Sequence, residues 1–238
     1  MAWYQEWFGE EYLELYAHRD PEEARAHVEF VTDLFEESPR AVLDLACGAG
    51  RHTEALRRRG IRALGCDLSL TLLAQSPELP RVGGDMRCLP FADGTFDWVL
   101  NFFTSFGYFD QERQNFRVLE EIVRVLGPGG RVLIDLMNRE ATLADLQEHE
   151  VREVQGERVE IRRWWDREQR RIKKRIRIGS PTSSTRTFLE SVRAYTRDEV
   201  AIGMRWAGLE VDALFGNFQG EPYDHDSERL IVVGHKPT

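Results

Sequence analysis

Short apolar runs alternate with amphipathic stretches through the middle of this chain. Each run is short enough for a single buried strand, and the runs occupy residues 41–46, 61–66, 81–85, 96–102 and 131–136. The stretches between them place apolar residues at helical spacing, most clearly at residues 51–59, 70–75 and 113–126. Strands that alternate with helices pair in parallel through right-handed crossovers. The pattern therefore predicts an α/β fold built on a doubly wound, mostly parallel sheet.

Two segments outside this alternation have other periods. Residues 1–39 are helix-like, and Pro21 stands where a helix would take its first residue. In residues 151–195 apolar and polar positions alternate, which is typical of antiparallel hairpins. We therefore expect helices that cover the sheet before its first strand, and an antiparallel β insertion after its fifth.

The C-terminal part returns to the pattern of the sheet. Thr196 begins a capping box, so a helix is predicted from there to Gly208. Apolar runs at 209–215 and 229–235 predict two more strands, which a long loop joins. We divide the chain into a helical cover, a core, a β insertion and a closing helix with its hairpin, at residues 1–39, 40–138, 139–195 and 196–238.

The junction between the first strand and the first helix of the core carries the most specific motif. Residues 42–52 read Val-Leu-Asp-Leu-Ala-Cys-Gly-Ala-Gly-Arg-His, in which Gly48 and Gly50 let the backbone turn tightly and approach a ligand. Asp67 ends the second predicted strand, where its carboxylate can accept both ribose hydroxyl hydrogens. A dinucleotide-binding turn has a third glycine where this chain has Thr53. The turn therefore favours a nucleoside ligand other than a dinucleotide.

This turn and the strand ends that follow it resemble the motifs of class I S-adenosylmethionine-dependent methyltransferases. Five segments match in order over residues 42–137: the D-x-x-x-G-x-G turn, Asp67, the Gly-Gly-Asp-Met at 83–86, the fourth strand with its aromatic loop, and the glycine-rich turn with the fifth strand. The N-terminal cover and the β insertion are similar to those of small-molecule members of the family. The resemblance implies a Rossmann-like fold with a mostly parallel sheet of seven strands, in which the last two strands form a closing hairpin at the sheet edge. It also implies S-adenosyl-L-methionine as cofactor and a small-molecule methyl acceptor.

The resemblance also implies which residues contact the cofactor. Asp85 would bond the adenine amino group, and Met86 would pack against the ring. Asn101 would lie beside the methyl donor, while Tyr16 and Arg19 would meet the methionine end. The full set of expected cofactor contacts is Tyr16, Arg19, Asp44, Ala46, Gly48, Gly50, Asp67, Leu68, Asp85, Met86 and Asn101.

Transfer of a methyl group to an oxygen, nitrogen or carbon nucleophile is an in-line displacement, which depends mainly on proximity and orientation. A general base is optional, and the candidates are Tyr108, Asp135 and His225. The six histidines are scattered along the chain, so their spacing predicts no metal site.

Composition bears on the competing interpretations. The chain of 238 residues has a formal net charge of −9, which disfavours general attraction to nucleic acid or to an anionic membrane. Residues 162–177 nevertheless hold nine basic and two acidic residues, with Trp164 and Trp165 among them, so an RNA methyltransferase remains an alternative. A nicotinamide-dependent oxidoreductase, which Thr53 disfavours, and a non-catalytic cofactor-binding protein are two others.

The remaining sequence signals concern the cellular setting. No apolar run approaches the roughly 18 residues of a membrane span, and the N-terminus lacks a signal pattern, so we expect a cytoplasmic protein without a membrane partner. The cysteines Cys47, Cys66 and Cys88 are odd in number, and we expect three buried, reduced thiols. The oligomeric state has no signal in the sequence.

Overall fold

The computed structural model describes residues 2–16, 21–36, 38–179 and 184–238, which form two sheets with helices packed around them. The helices, in chain order, are α1 (Trp3–Trp7), α2 (Glu10–Leu15), α3 (Pro21–Phe35), α4 (Arg51–Arg58), α5 (Leu70–Leu73), α6 (Glu112–Val125), α7 (Arg139–Ala144) and α8 (Arg197–Ala207). The strands are β1 (Val42–Leu45), β2 (Ala63–Asp67), β3 (Arg81–Gly83), β4 (Phe96–Asn101), β5 (Leu126–Met137), β6 (His149–Val154), β7 (Glu157–Asp166), β8 (Arg171–Gly179), β9 (Arg186–Arg193), β10 (Glu210–Phe215) and β11 (Arg229–His235).

The larger sheet has seven strands in the order β10-β11-β5-β4-β1-β2-β3. Its first five strands in the sequence pair in parallel, and β11 runs antiparallel to both β5 and β10. The predicted α/β class, the parallel core and the closing hairpin are confirmed. The strand order reverses between β1 and β4, and in open α/β sheets ligands bind at such a reversal, beyond the carboxyl ends of the strands.

Both faces of this sheet are buried, because successive side chains of a strand point to opposite sides. On one face, Val42 of β1 packs with residues of α3 and α4. On the other face, Leu43 and Leu45 pack with residues of α6 and α8. Asp44 lies between these apolar positions and is 1% exposed, so the only polar side chain of β1 is held inside the fold just below the first turn.

The smaller sheet is antiparallel, in the order β6-β7-β8-β9. Its inner face buries Val159, Ile161, Ile176 and Ile178 against α1 and α2. Trp7 of α1 is fully buried in this third cluster. The N-terminal helices and the antiparallel sheet therefore pack on each other.

A buried arginine connects the smaller sheet to the larger one. Arg171, at the start of β8, is 3% exposed, and its guanidinium donates to the backbone oxygens of Gly107, Tyr108 and Phe109 in the loop after β4. It also donates to the side chain and backbone oxygen of Ser191. Burial lowers the pKa of Arg171. These hydrogen bonds fix the position of the loop after β4 relative to β8 and β9.

The side chains of the basic run at 162–177 point in different directions and include buried residues and local ion pairs. Arg171 and Lys174 turn inward, while Arg163 pairs with Glu150 and Lys173 pairs with Asp166, each at 2.7 Å. On the outer face, Glu160 lies within 4 Å of Arg162, Arg177 and His149. Several of the positive charges in this run are therefore paired locally with carboxylates.

Several details differ from the sequence-based expectations. Strand β3 ends at Gly83, short of the predicted 85, and α5 ends at Leu73, short of the predicted 75. All three cysteines are free thiols as expected, but only Cys66 is buried. Cys47 is partly exposed in the turn after β1, and Cys88 is exposed in the tight turn after Asp85. Within the described ranges, no helix combines the length and the apolar character needed to cross a membrane.

Candidate functional site

A cavity of about 420 Å³ lies at the carboxyl ends of β1, β2 and β4. Its volume falls within the range of small-molecule pockets, roughly 300–1,000 Å³. One part of its wall comes from the turns that follow these strands and β3. The rest comes from aromatic residues of α1 and α2, from the loop after β4, and from Glu190 and Val192 of β9. Both sheets and the N-terminal helices therefore contribute to one site.

The turn after β1 is built from left-handed backbone. Gly48 and Gly50 have φ angles of 57° and 85°, and Ala46 has 59° although it carries a Cβ. Below the turn, Thr53 donates a hydrogen bond of 2.6 Å to Asp44. Burial raises the pKa of Asp44 to about 6, although the bond from Thr53 opposes the shift. Thr53 therefore stands in the third glycine position as the hydrogen-bond donor that the buried carboxyl group needs.

Asp67 connects the turn after β1 to the turn after β2. Its two carboxylate oxygens accept the backbone N–H groups of Gly48 and Ser69, each at 2.8 Å. Burial raises the pKa of Asp67, while these hydrogen bonds favour the ionised form. The carboxylate lines the cavity, so it is both a structural tie and a ligand-facing acceptor.

Asp85 lies in the turn after β3 and forms a two-point ion pair with Arg87, with a shortest distance of 2.6 Å. Burial alone would raise the pKa of Asp85, but the hydrogen bonds and charge of Arg87 hold it below its usual value. The Arg87 guanidinium also lies 4.3 Å from the centre of the Phe109 ring. Asp85 and Met86 both line the cavity, so the carboxylate is ionised where a ligand would meet it.

The loop after β4 contains two consecutive residues in left-handed backbone, Phe103 and Thr104, with φ angles of 63° and 55°. Such conformations cost about 1–3 kcal/mol each and persist where the surroundings impose them. Asp135 holds both residues in this conformation. Its side chain accepts a hydrogen bond from the Phe103 N–H at 2.7 Å, and its backbone carbonyl accepts one from the Thr104 N–H at 2.9 Å. Arg229 completes the arrangement by donating to Asp135 at 2.7 Å and to the Thr104 hydroxyl at 3.1 Å.

A pair of histidines lies beside this loop. The imidazoles of His27 and His52 meet at 3.1 Å, and the Phe102 ring stacks on His52 with centroids 4.0 Å apart. Burial lowers the pKa of His27 to about 4, and the nearby arginines act in the same direction. His27 is therefore neutral at physiological pH. His52 lines the cavity.

Most of the residues expected to contact the cofactor line this cavity: Tyr16, Asp44, Ala46, Gly48, Asp67, Leu68, Asp85 and Met86. Gly50 does not line it and lies behind the turn. Asn101 does not line it either, because its side chain is buried and donates to the Leu45 carbonyl at 2.8 Å. Arg19 lies outside the described residues.

Of the three candidate bases, only Tyr108 lines the cavity. Asp135 is 1% exposed and holds the Phe103–Thr104 segment in place, and burial raises its pKa even though Arg229 opposes the shift. His225 is exposed in the loop before β11, where it pairs with Asp226 at 3.0 Å. The structure therefore places Asp135 behind the cavity wall and His225 on the surface, and neither position suits a base that touches a ligand.

Two charged residues of the site were missed by sequence reasoning. Glu190 lines the cavity from β9, and Lys174 lies directly opposite it on β8. The alternation of the two strands predicts which residues share a face, but it does not predict their register. No motif marks either residue.

Comparison with known proteins agrees with the resemblance seen in the sequence of the core. A family model described as a methyltransferase domain matches residues 42–130. The chain is also similar to a cypemycin N-terminal methyltransferase from a Streptomyces species, with 32% identity over 203 residues that cover 82% of each chain.

Two solved structures share the fold. The CcbJ methyltransferase from Streptomyces caelestis superposes with a TM-score of 0.79 at 18% identity, over 91% of this chain and 90% of that one. The sugar N-methyltransferase KedS8 from a Streptoalloteichus species superposes with a TM-score of 0.73 at 22% identity, over 97% and 94%. At these identities the likeness concerns the fold, and it covers the smaller sheet and the N-terminal helices as well as the core.

Proposed function

The chain belongs to the class I S-adenosylmethionine-dependent methyltransferases, and on that premise we propose that it methylates an amine nitrogen of a small molecule. The sequence left oxygen, nitrogen and carbon acceptors open. The charge of the cavity supports a nitrogen acceptor. The similarity over 82% of the chain to a protein named an N-terminal methyltransferase supports it too.

The residues of the cavity fit the cofactor, which supplies a methyl group bonded to a positively charged sulfur. In our proposal Asp67 accepts the ribose hydroxyls, the turn at Gly48 lies against the cofactor, and Asp85 with Met86 holds the adenine. Tyr16 faces the methionine end. The support for these roles is the donor and acceptor set, since Asp67 and Asp85 both offer carboxylate oxygens to the cavity.

The balance of charges in the cavity wall is the observation that carries the amine proposal. Four carboxyl groups line the cavity, and Arg51 is the only lysine or arginine among its lining residues within the described ranges. Three of the four, Asp44, Asp67 and Asp85, lie at the ends of the parallel strands, while Glu190 is on β9. Arg87 and Lys174 offset the charge of Asp85 and Glu190 from outside the lining residues, but the groups that face the cavity are carboxylate oxygens. Acceptor oxygens at the wall favour positively charged ligands, which include a sulfonium cofactor and an ammonium acceptor.

The chain's own contribution to the reaction is alignment and exclusion of water. The aromatic side chains Trp3, Tyr4 and Phe8 of the N-terminal segment form part of the wall together with Tyr108. Holding the reacting atoms in line can supply roughly 7–11 kcal/mol of the barrier. A dry wall also favours transfer from a sulfonium, because positive charge that is poorly solvated becomes dispersed as the methyl group moves.

The proposal is tested by transfer of isotope-labelled methyl from S-adenosylmethionine to matched acceptors. Glucosamine is compared with glucose, and a short peptide with a free N-terminus is compared with its acetylated form. We expect label on amines and none on the matched hydroxyl or amide compounds. Labelling of glucose, or of the acetylated peptide at a rate equal to that of the free one, would show that the acceptor is not an amine.

A further inference from the structure

Glu190 and Lys174 form a cross-strand pair at the edge of the cavity. They lie directly opposite each other on β9 and β8, and the Lys174 ammonium is 3.3 Å from one carboxylate oxygen of Glu190. Lys174 also donates to the Tyr16 hydroxyl. Tyr16 and Glu190 line the cavity, whereas Lys174 does not. The lysine therefore holds the two ligand-facing groups together from behind the wall.

The position of Glu190 leaves part of its carboxylate available to a ligand. Within the described residues, Lys174 is its single polar side-chain partner, through one oxygen. The Glu190 side chain keeps 21% of its surface exposed, compared with 12% for Lys174. Burial lowers the pKa of Lys174, while Glu190 acts in the opposite direction. The geometry therefore leaves the second carboxylate oxygen of Glu190 unengaged by the described part of the chain.

We propose, on the basis of the proposed function above, that Glu190 binds the ammonium group of the acceptor and takes one proton from it. An N–H bond of the ammonium breaks and an O–H bond forms on Glu190, which leaves a lone pair on the nitrogen for methyl transfer. Lys174 is a positioning residue, because it holds the Glu190 carboxylate in place and need not touch the reacting atoms. Tyr16 is a positioning residue too, because its hydroxyl accepts a hydrogen bond from Lys174 and so helps to hold the lysine. The other three carboxyl groups of the cavity lie at the ends of the parallel strands, on the side assigned to the cofactor. Among the described lining residues, Glu190 is the carboxylate that comes from the smaller sheet.

The test compares the Glu190→Gln variant with the wild-type enzyme, and both proteins are first loaded with S-adenosylhomocysteine. Calorimetric titrations at neutral pH use two matched pairs of probes: glucosamine with glucose, and a free dipeptide with its acetylated form. We expect the wild-type enzyme to favour the ammonium probe of at least one pair by about tenfold or more, as one charge-assisted hydrogen bond would give. Glu190→Gln should abolish that preference.

Two controls make the result specific. Glu168→Gln removes the same charge from an exposed turn of the same sheet, so it should keep the preference. Glu190→Asp keeps the charge, so it should also bind the ammonium probe better than the neutral one, even if Glu190→Gln is poorly folded. Folding of each variant is checked by its affinity for S-adenosylhomocysteine, which should equal that of the wild type.

The outcomes separate this inference from the proposed function. A preference that survives in a folded Glu190→Gln variant, or a wild-type enzyme that methylates amines without preferring ammonium probes, would overturn the role of Glu190 alone. A wild-type enzyme that neither prefers ammonium probes nor labels amines would overturn both. An unchanged kcat/KM for an amine acceptor in Glu190→Gln would equally refute proton transfer to this residue.

Discussion

Replacement of Arg229 by methionine should destabilise the protein by about 3–5 kcal/mol at pH 7, because it leaves the buried Asp135 carboxylate without its cation. Arg229 is 22% exposed at its side chain and donates to Asp135 at 2.7 Å, while Asp135 is 1% exposed. The same change removes a donor to the Thr104 hydroxyl, so the left-handed Phe103–Thr104 segment also loses part of its support.

The companion variant Asp135→Asn should cost less than Arg229→Met. Asparagine still offers an oxygen to the Phe103 N–H, and the unpaired arginine lies nearer to solvent than the carboxylate does. The double variant should be more stable than the sum of the two single changes predicts, because neither charge then remains without a partner. The free-energy cost of Arg229→Met should also become smaller as pH falls below 7, since burial raises the pKa of Asp135 and protonation removes its unpaired charge.

Urea unfolding of the three variants measures these free energies, with Arg58→Met as the matched control. Arg58 pairs with Glu54 at 2.6 Å on the surface of α4, with 68% of its side chain exposed, so its loss should cost no more than about 0.5 kcal/mol. Equal costs for Arg229→Met and Arg58→Met would refute the argument. So would additive costs in the double variant.

Three other changes test separate parts of the structure. Asp67→Ala should weaken binding of S-adenosylhomocysteine about 10- to 150-fold by calorimetry and also lower the melting temperature, because the carboxylate accepts two backbone N–H groups as well as facing the ligand; unchanged affinity would rule out its cofactor role. For His27, the folded pKa of about 4 lies below the unfolded value of 6.5, so the unfolded chain binds a proton first as pH falls and up to about 3 kcal/mol of stability is lost between pH 6.5 and 4. His27→Gln should flatten that part of the stability profile, and an identical profile would contradict the assignment. Arg171→Leu should cost more than about 3 kcal/mol in urea unfolding because several buried oxygens lose their donor, whereas Arg175→Leu on the exposed face of the same strand should change stability little; similar effects would argue against the anchoring role.

The parts of the site that could be predicted from the sequence are local. The turn after β1, Asp67 and Asp85 each lie at a strand end, and parallel strands bring such ends to one edge. Hydrophobic periodicity similarly predicted the parallel core and the antiparallel insertion, because burial of one or both faces determines the period. The closing hairpin was implied by the family resemblance. Short elements were less accurate, as the early end of β3 at Gly83 shows.

The rest depends on pairings between distant positions. Asp135 had the features of a candidate base, a carboxyl group near the end of a strand, but Arg229 lies 94 positions away and reaches it through the register of β5 with β11. Glu190 and Lys174 meet only because β8 and β9 pair in one particular register. The carbonyls bound by Arg171 lie 62 to 64 positions away, and no side-chain pattern marks them.

The anchoring of the smaller sheet through Arg171 has a consequence for recombination between related enzymes. In the loop after β4, Arg171 donates only to backbone oxygens, which every residue has. A related core that received this sheet would therefore need a loop with the same backbone path, but no particular side chains in it. Trp7 of α1 packs against Phe188 of β9, with ring centroids 4.9 Å apart, so the N-terminal helices must travel with the sheet. A chimaera that exchanges residues 149–193 alone would replace the residues that pack on this tryptophan, whereas one that carries both segments would keep this packing and transfer both parts of the cavity wall together.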